Sequence, residues 1–155
     1  MGTAKITIED ASIRHLDRLY DIERECFKSE AFSKHQIAQL LTHQNSVSLI
    51  AKDNNTVVGF VIGMVYSENG ELTGHILTID VHPSHRRMGI GAKLLQEIEK
   101  IFIGKGVGKC RLEAREDNLA ALKLYTKLGY KKVRKLKDYY YKNAHGILFE
   151  KTLKV

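Results

Sequence analysis

The sequence predicts an α/β fold, a mixed and mostly antiparallel twisted sheet of about seven strands flanked by about four helices. Three observations carry that expectation. Short β-branched and apolar runs are separated by tight turn signals, as in hairpins. Two stretches late in the chain repeat apolar residues at helical spacing. The resulting order, β-α-α-β-β-β-α-β-α-β-β, groups consecutive strands in the middle and separates the later ones by helical crossovers.

In chain order, Lys5–Ile8 reads as a first strand. From Ser12 a helix follows, with Leu16, Leu19, Tyr20, Cys26 and Phe27 on its apolar stripe. Ser33 with Gln36 matches a capping box, opening a second helix to about Thr42. Val47–Lys52 and Thr56–Tyr66 form a hairpin across Asp53-Asn54-Asn55. After the turn Glu68-Asn69-Gly70, Leu72–Val81 is a further strand that stops before Pro83, the only proline. Ile90, Leu94, Leu95, Ile98, Ile101 and Phe102 share one face of a helix, which the segment GKGVGK ends. Cys110–Arg115 alternates as a strand. Asn118 caps a helix over Leu119–Leu128 that Gly129 terminates, and Tyr130–Tyr141 and Ile147–Leu153 close the chain as strands.

Length and composition bound the function. With 155 residues, 43% of them hydrophobic, and no break in composition, the expectation is a single domain over 1–155 with a real core. No apolar run approaches the roughly 18 residues of a membrane span, and MGTAKITIED lacks the apolar stretch of a secretory signal. Cys26 and Cys110 are far apart, without metal or redox spacing, and read as two buried small apolar residues in a reducing, cytoplasmic setting. A net charge of +7 fits a phosphorylated ligand or an acidic surface; without a basic arm or basic–aromatic tract, direct nucleic-acid readout is not expected.

The stretch HPSHRRMGIGAKLL, His82–Leu95, places two arginines and two glycines where a helix begins. A helix N-terminus presents unpaired N–H groups and a partial positive charge; glycines let a phosphate reach the backbone, and arginines add charged donors. Arg86, Arg87, Met88, Gly89, Gly91 and Ala92 therefore read as a pyrophosphate cradle. A Rossmann loop would need glycine at Leu94, and a P-loop would need Ser or Thr after Lys109 where Cys110 stands.

The R-x-x-G-x-G of Arg86–Gly91, preceded by IDVHPSHR, resembles the acetyl-coenzyme-A signature of the GNAT N-acetyltransferase superfamily. LEAREDNLAALKLYTKLGY resembles its second cofactor segment, with Asn118, Ala121, Tyr125 and Gly129 at matching spacing. The resemblance covers nearly the whole chain and is strongest to the branch that acetylates protein N-termini, the ribosomal-protein alanine and archaeal and eukaryotic N-terminal acetyltransferases; DYYYKNAHGILFEK resembles that branch's tyrosine-bearing hairpin.

That resemblance implies acetyl-CoA as cofactor and direct acetyl transfer in a ternary complex, without a covalent acetyl-enzyme. It implies that the pantetheine arm lies along Ile79 and Val81, with an oxyanion donor near Val81. Tyr125 corresponds to the proton donor to the leaving sulfur, Glu113 to the base, and His75 to a further proton acceptor. Read from the residues alone, Tyr125 fits a core position, Glu113 fits a charge ladder with Arg111 and Arg115, and Asn118 fits a helix cap. The resemblance places Phe27 against the substrate's first side chain and Tyr139 and Tyr140 against its backbone; Glu30 lies near Phe27 and is expected to meet an ammonium or a polar first residue, while Lys28 departs from the branch pattern and leaves specificity open. Ribosome association and a monomer or weak dimer are further expectations. Acetylation of lysine, a polyamine or an aminoglycoside, and non-catalytic coenzyme A binding, remain alternatives.

Overall fold

The computed structural model describes residues 5–153. The strands are β1 (Ile6–Asp10), β2 (Ser46–Asp53), β3 (Thr56–Glu68), β4 (Glu71–Val81), β5 (Lys109–Arg115), β6 (Lys131–Tyr141) and β7 (Ala144–Thr152), with helices α1 (Leu16–Phe27), α2 (Lys34–Thr42), α3 (Ile90–Gly104) and α4 (Leu119–Lys127). They form one seven-stranded sheet in the order β1-β2-β3-β4-β5-β7-β6. Only β4 and β5 run parallel. The β4–β5 connection is therefore the one that needs a helical crossover, which α3 supplies.

Local chemistry accounts for the boundaries. Ser33 Oγ accepts the Gln36 N–H at 3.1 Å while Gln36 Oε1 accepts the Ser33 N–H at 2.8 Å, the reciprocal cap expected for α2. Asn69 (φ 53°) and Gly70 (φ 81°) turn β3 into β4 with the left-handed pair that a two-residue hairpin requires. Lys105–Gly108 connects α3 to β5, with Val107 buried and its N–H on Phe102 O at 3.0 Å. Most boundaries differ from the sequence reading by a residue or two, and two differ by more. Helix α1 is preceded by a 3-10 turn over Ile13–His15, because the His15 Nδ1 takes the Ser12 N–H at 3.0 Å. Strand β7 begins at Ala144, three residues before Ile147, because a tight turn at Lys142-Asn143 (Asn143 φ 66°) returns the chain at once.

The core has two parts, one on each face of the sheet. Leu19, Ile22 and Ile37 of α1 and α2 pack with Ile50, Phe60 and Ile62. Ile90, Leu94, Leu95, Ile98 and Phe102 of α3 pack with Val58, Val61, Ile76, Leu112 and Phe149. Burying each such side chain contributes about 1.5–3 kcal/mol. Cys110 is fully buried in the second part, but Cys26 is only half-buried, correcting the expectation of two buried thiols. Cys26 ends the apolar stripe of α1 at the site, where its Sγ lies 3.5 Å from Val81 O.

Strands β1 and β6 are the two edges of the sheet, and along the open β6 edge Lys131, Lys132, Arg134, Lys135 and Lys137 are all exposed. Against the centre of the sheet, α3 approaches closely only because Gly63 and Gly74 lack side chains: a Cβ at Gly74 would stand 2.6 Å from Phe102 Cε2. Phe102 is fully buried and has no free space to yield. Gly74→Ala is therefore expected to lower unfolding free energy by about 1–3 kcal/mol, read from the urea midpoint at unchanged m-value. A midpoint equal to the wild type would show that α3 is not seated on Gly74.

Candidate active site

Hydrogen bonding between β4 and β5 spans only Thr73–Ile76 against Lys109–Leu112. Beyond it, Leu77–Val81 and Glu113–Arg115 diverge, and each presents an unpaired edge to a slit between them. A register shift opposite Ile62/Gly63 leaves Leu77 as an extra residue in β4, a bulge that re-aims the rest of the strand. Candidate pantetheine residues Ile79 and Val81 lie on this diverging end, packed against the α3-side core.

The candidate phosphate cradle follows directly. His82 caps a 3-10 turn over Pro83–His85, its Nδ1 accepting the Ser84 N–H at 3.1 Å, and His85 Nε2 bonds Asp53 Oδ2 at 2.8 Å. Arg87 (φ 62°) and Gly89 (φ 78°) then take left-handed conformations before α3. Such alternation turns successive N–H groups toward one concavity. Gly89 is required by its φ. Gly91 is not required by packing: its nearest would-be Cβ contacts are Leu124 Cδ2 at 3.5 Å and Val81 Cγ2 at 3.8 Å, ordinary separations. A bare backbone there fits a ligand that must reach the first turn, with Ala92 the next residue along it. Arg87 and Met88 are exposed at the rim. Arg86 is exposed as well, with Nε donating to Val81 O at 3.2 Å and Nη2 to Cys26 Sγ at 3.5 Å. It braces the end of β4 against α1. The residues present thus fit acetyl-CoA: two cations, a free helix N-terminus and a slit for the pantetheine.

At the base of the slit, His75 of β4 and Glu113 of β5 meet, with Nε2 2.7 Å from Oε1 and 3.1 Å from Oε2. A carboxylate can only accept, so Nε2 carries the proton and Nδ1 is left as the pair's basic nitrogen. The two residues expected to act separately form one unit. The alternative ladder for Glu113 is corrected: Arg111 pairs with Glu150 at 3.0 Å and Glu68 at 3.4 Å, and Arg115 pairs with Glu30 and, at 2.9 Å, with Asp117.

Tyr125 of α4 is buried, its ring edge-on to Tyr130 at 6.1 Å and Phe149 at 5.8 Å. Burial, and secondarily the Asp80 carboxyl, raise its phenol well above the usual tyrosine range, so it holds its proton at neutral pH. Asn118 Oδ1 accepts the Ala121 N–H at 3.2 Å, so its oxygen caps α4 and only its amide N–H groups remain for a ligand. Burial, then the neighbouring Asp80 carboxyl, push the Cys26 thiol up to about 11, and burial pushes Cys110 to about 12; neither is a ready thiolate nucleophile.

Two walls flank the dyad. On one side Phe27, Lys28 (φ 51°) and the 3-10 turn Lys28–Glu30 join α1 to α2. Glu30 is engaged by Arg115 Nη1, which also donates to the Tyr141 hydroxyl at 2.9 Å. The charge of Glu30 is therefore already met, which corrects its expected use as a free partner for a substrate ammonium. On the other side Tyr139 and Tyr140 stack edge to face at 4.9 Å, Tyr139 half-exposed. Burial first, then the neighbouring Tyr139 and Glu113, raise the Tyr140 phenol; burial and Glu113 raise that of Tyr139. Arg115 lies 5.3 Å from the Tyr141 ring, linking both walls to β5.

Sequence reasoning missed Glu23 and Asp80, both about 1% exposed. The available signal was a lone acid inside the apolar run ILTIDV.

A sequence model of the acetyltransferase (GNAT) family matches residues 16–130. An uncharacterised N-acetyltransferase of Methanocaldococcus jannaschii is 29% identical over 147 residues, covering 93% of this chain and 90% of that protein. Among solved structures, the ribosomal-protein-S18-alanine N-acetyltransferase from Escherichia coli superposes with TM-score 0.86 at 23% identity, covering 97% of this chain and 96% of that one. NAA60 of Arabidopsis thaliana, in complex with acetyl-CoA, gives TM-score 0.87 at 22% identity, with 96% and 99% covered.

Because Gly91 is free of packing duty, Gly91→Ala separates ligand binding from folding. It is expected to keep or slightly raise stability, by up to about 1 kcal/mol, and to weaken coenzyme A binding about tenfold or more in calorimetry. Arg87→Ala is expected to weaken binding too and to flatten its dependence on added salt. Unchanged affinity in both variants would move the cofactor elsewhere.

Proposed function

The chain belongs to the GNAT acetyltransferase family, and we propose that, within it, this enzyme transfers acetyl from acetyl-CoA to the α-amino group of protein N-termini. The observation that carries the proposal is the groove. The Phe27–Glu30 turn and the Tyr139/Tyr140 hairpin stand on either side of His75 and Glu113, tied to one another through Arg115. An N-terminus enters such a groove end-on, whereas an internal lysine must thread its side chain between two walls with main chain on both sides. The likeness to the ribosomal-protein alanine acetyltransferase and to NAA60 supports the same reading. A protein substrate in the cytoplasm, met on or near the ribosome, goes with it.

The chemistry follows from the residues. Bound acetyl-CoA supplies an acetyl group already activated as a thioester. A free α-amine has a pKa of about 7.7–8.0 and a lysine about 10.4, so neutralising them at pH 7 costs about 1 and about 4–5 kcal/mol respectively. A modest base suffices for the first. His75, oriented through Nε2–H by Glu113, takes the amine's proton at Nδ1, directly or through water. The Val81 N–H offers a donor to the carbonyl oxygen as charge develops there. Tyr125, kept protonated by burial, gives its proton to the departing sulfur.

Two measurements test this. Tyr125→Phe is expected to lower kcat about 100-fold or more with little change in peptide KM, since the proton is needed only in the transition state. If His75 and Glu113 act as one unit, the double variant His75→Ala/Glu113→Gln is no slower than the worse single one; additive losses would separate them.

For substrate choice, matched peptides are compared by mass spectrometry, one with a free α-amine and one N-formylated with an internal lysine. The free N-terminus is expected to react at least tenfold faster, and Tyr139→Ala/Tyr140→Ala to narrow the gap by opening the groove. Equal rates would reject the N-terminal assignment and leave acetyl transfer standing.

A further inference from the structure

On the α1 face of the sheet, directly behind Val81, lies a buried polar cluster that none of the steps above uses. Glu23 of α1 and Asp80 of β4 are each about 1% exposed, and Thr78, also buried, stands between them. Thr78 Oγ1 is 2.9 Å from Glu23 Oε1 and 2.6 Å from Asp80 Oδ1. The other Glu23 oxygen, Oε2, accepts the Phe32 N–H at 3.0 Å. Asp80 Oδ2 is buried and has no hydrogen-bond partner.

The proton count decides the state of this cluster. A threonine hydroxyl has one proton and can donate to one carboxylate only. The second short oxygen–oxygen contact needs a proton of its own. Among the described residues neither carboxyl is ion-paired: the nearest cation, Arg86, gives its hydrogen bonds to Val81 O and Cys26 Sγ. Two buried carboxylates with no cation between them do not both ionise. Glu23 has donors at both oxygens and suits the anion. Asp80 has an orphaned oxygen, which is tolerable as the carbonyl of a neutral acid and costly as half of a carboxylate. The chain of donation is then Asp80 Oδ1–H to Thr78 Oγ1, and Thr78 Oγ1–H to Glu23 Oε1. Burial, reinforced by the neighbouring Glu23, raises Asp80 well above the usual carboxyl range and agrees; the Thr78 hydroxyl and, after it, Arg86 oppose that shift. The other groups that face the pair are the Cys26 thiol and the Tyr125 phenol.

We infer that Glu23, Thr78 and Asp80 hold one shared proton through which β4 fixes the Phe27–Phe32 wall, making Glu23 and Asp80 positioning residues. The tie is double. Glu23 grips the far end of the wall through the Phe32 N–H, and its own helix carries Phe27 at the near end. Asp80 shares its peptide unit with the Val81 N–H, so the same proton keeps a negative charge away from the place where the acetyl oxygen becomes negative. The wall's part in binding rests on the reading of the acceptor groove given above; the shared proton does not.

Two conservative variants test both halves. An Asp80 that is neutral in the folded protein and ionised in the unfolded chain binds more protons folded than unfolded, so stability falls as pH rises above about 4. Asp80→Asn keeps a donor toward Thr78 and removes that penalty. It is expected to raise the urea midpoint over wild type at pH 7 and to lose the advantage near pH 4. A difference that does not change with pH overturns the shared proton. Glu23→Gln, in contrast, sets an amide N–H against the N–H of Phe32 or the hydroxyl of Thr78. It is expected to raise KM for the acceptor amine about tenfold while the acetyl-CoA dissociation constant stays put, and Asp80→Asn to hold that KM within about twofold. An unmoved KM in folded Glu23→Gln overturns the positioning role. If no free N-terminus is a substrate, the acceptor reading fails by that fact; KM is then read on the amine the enzyme does take, and the stability comparison stands unchanged.

Discussion

The site depends on one event in the sheet: the ladder between β4 and β5 stops at Ile76 and Leu112. Parallel strands normally continue pairing until one of them ends. Here both go on, but the extra residue at Leu77 bends β4 and swings Thr78–Val81 away. The bend opens the slit and exposes a strand edge inside it. It also brings Thr78 and Asp80 to the face that His75 occupies, where α1 lies, and turns Ile79 and Val81 to the α3 side. The cradle, the dyad and the buried carboxyl pair all sit where they do because of that single unpaired stretch.

The strands and helices were legible because their signals are local. Capping at Ser33, turning at Asn69-Gly70 and the apolar stripe of α3 each need only a few neighbouring residues. The cradle was legible for the same reason, since Arg86–Ala92 is one continuous stretch. The pairings within the site were not. His75 meets Glu113 across 38 positions, Glu23 meets Thr78 across 55, and Glu30 meets Arg115 across 85. Spacing along the chain says nothing about partners so distant. Strand alternation also misleads past a bulge, because one extra residue moves every later side chain to the opposite face. The face that Asp80 takes was not legible for that reason. Glu30 was misjudged because its partner Arg115 had been placed in a ladder on its own strand.

The two core parts divide the labour of the fold. The α3 part is apolar along the stripe that meets the central strands, down to the glycines that admit Phe102, and its buried Glu99 is met by Lys151 and the Tyr130 hydroxyl. The α1–α2 part buries the Glu23–Thr78–Asp80 cluster and carries the wall proposed for the acceptor. Buried polar groups cost free energy unless every partner is in place. The donor side is thus held mainly by packing, and the acceptor side depends more on directed hydrogen bonds. The first tolerates apolar substitution of similar volume, and the second does not.

The open edge of the sheet has a consequence for how copies of this protein behave in a crowded solution. A bare β-strand invites another to pair with it. On β6 that invitation is refused by charge: Lys131, Lys132, Arg134, Lys135 and Lys137 would face their own duplicates across about 5 Å of backbone. Among the described residues only Lys135 of these five is ion-paired, with Glu116. The refusal works over roughly the Debye length, about 8–10 Å at physiological ionic strength, and it fades as salt rises or as a polyanion coats the strand. Colloidal stability of the protein is therefore set by its ionic surroundings, and concentrated stocks keep best in dilute buffer.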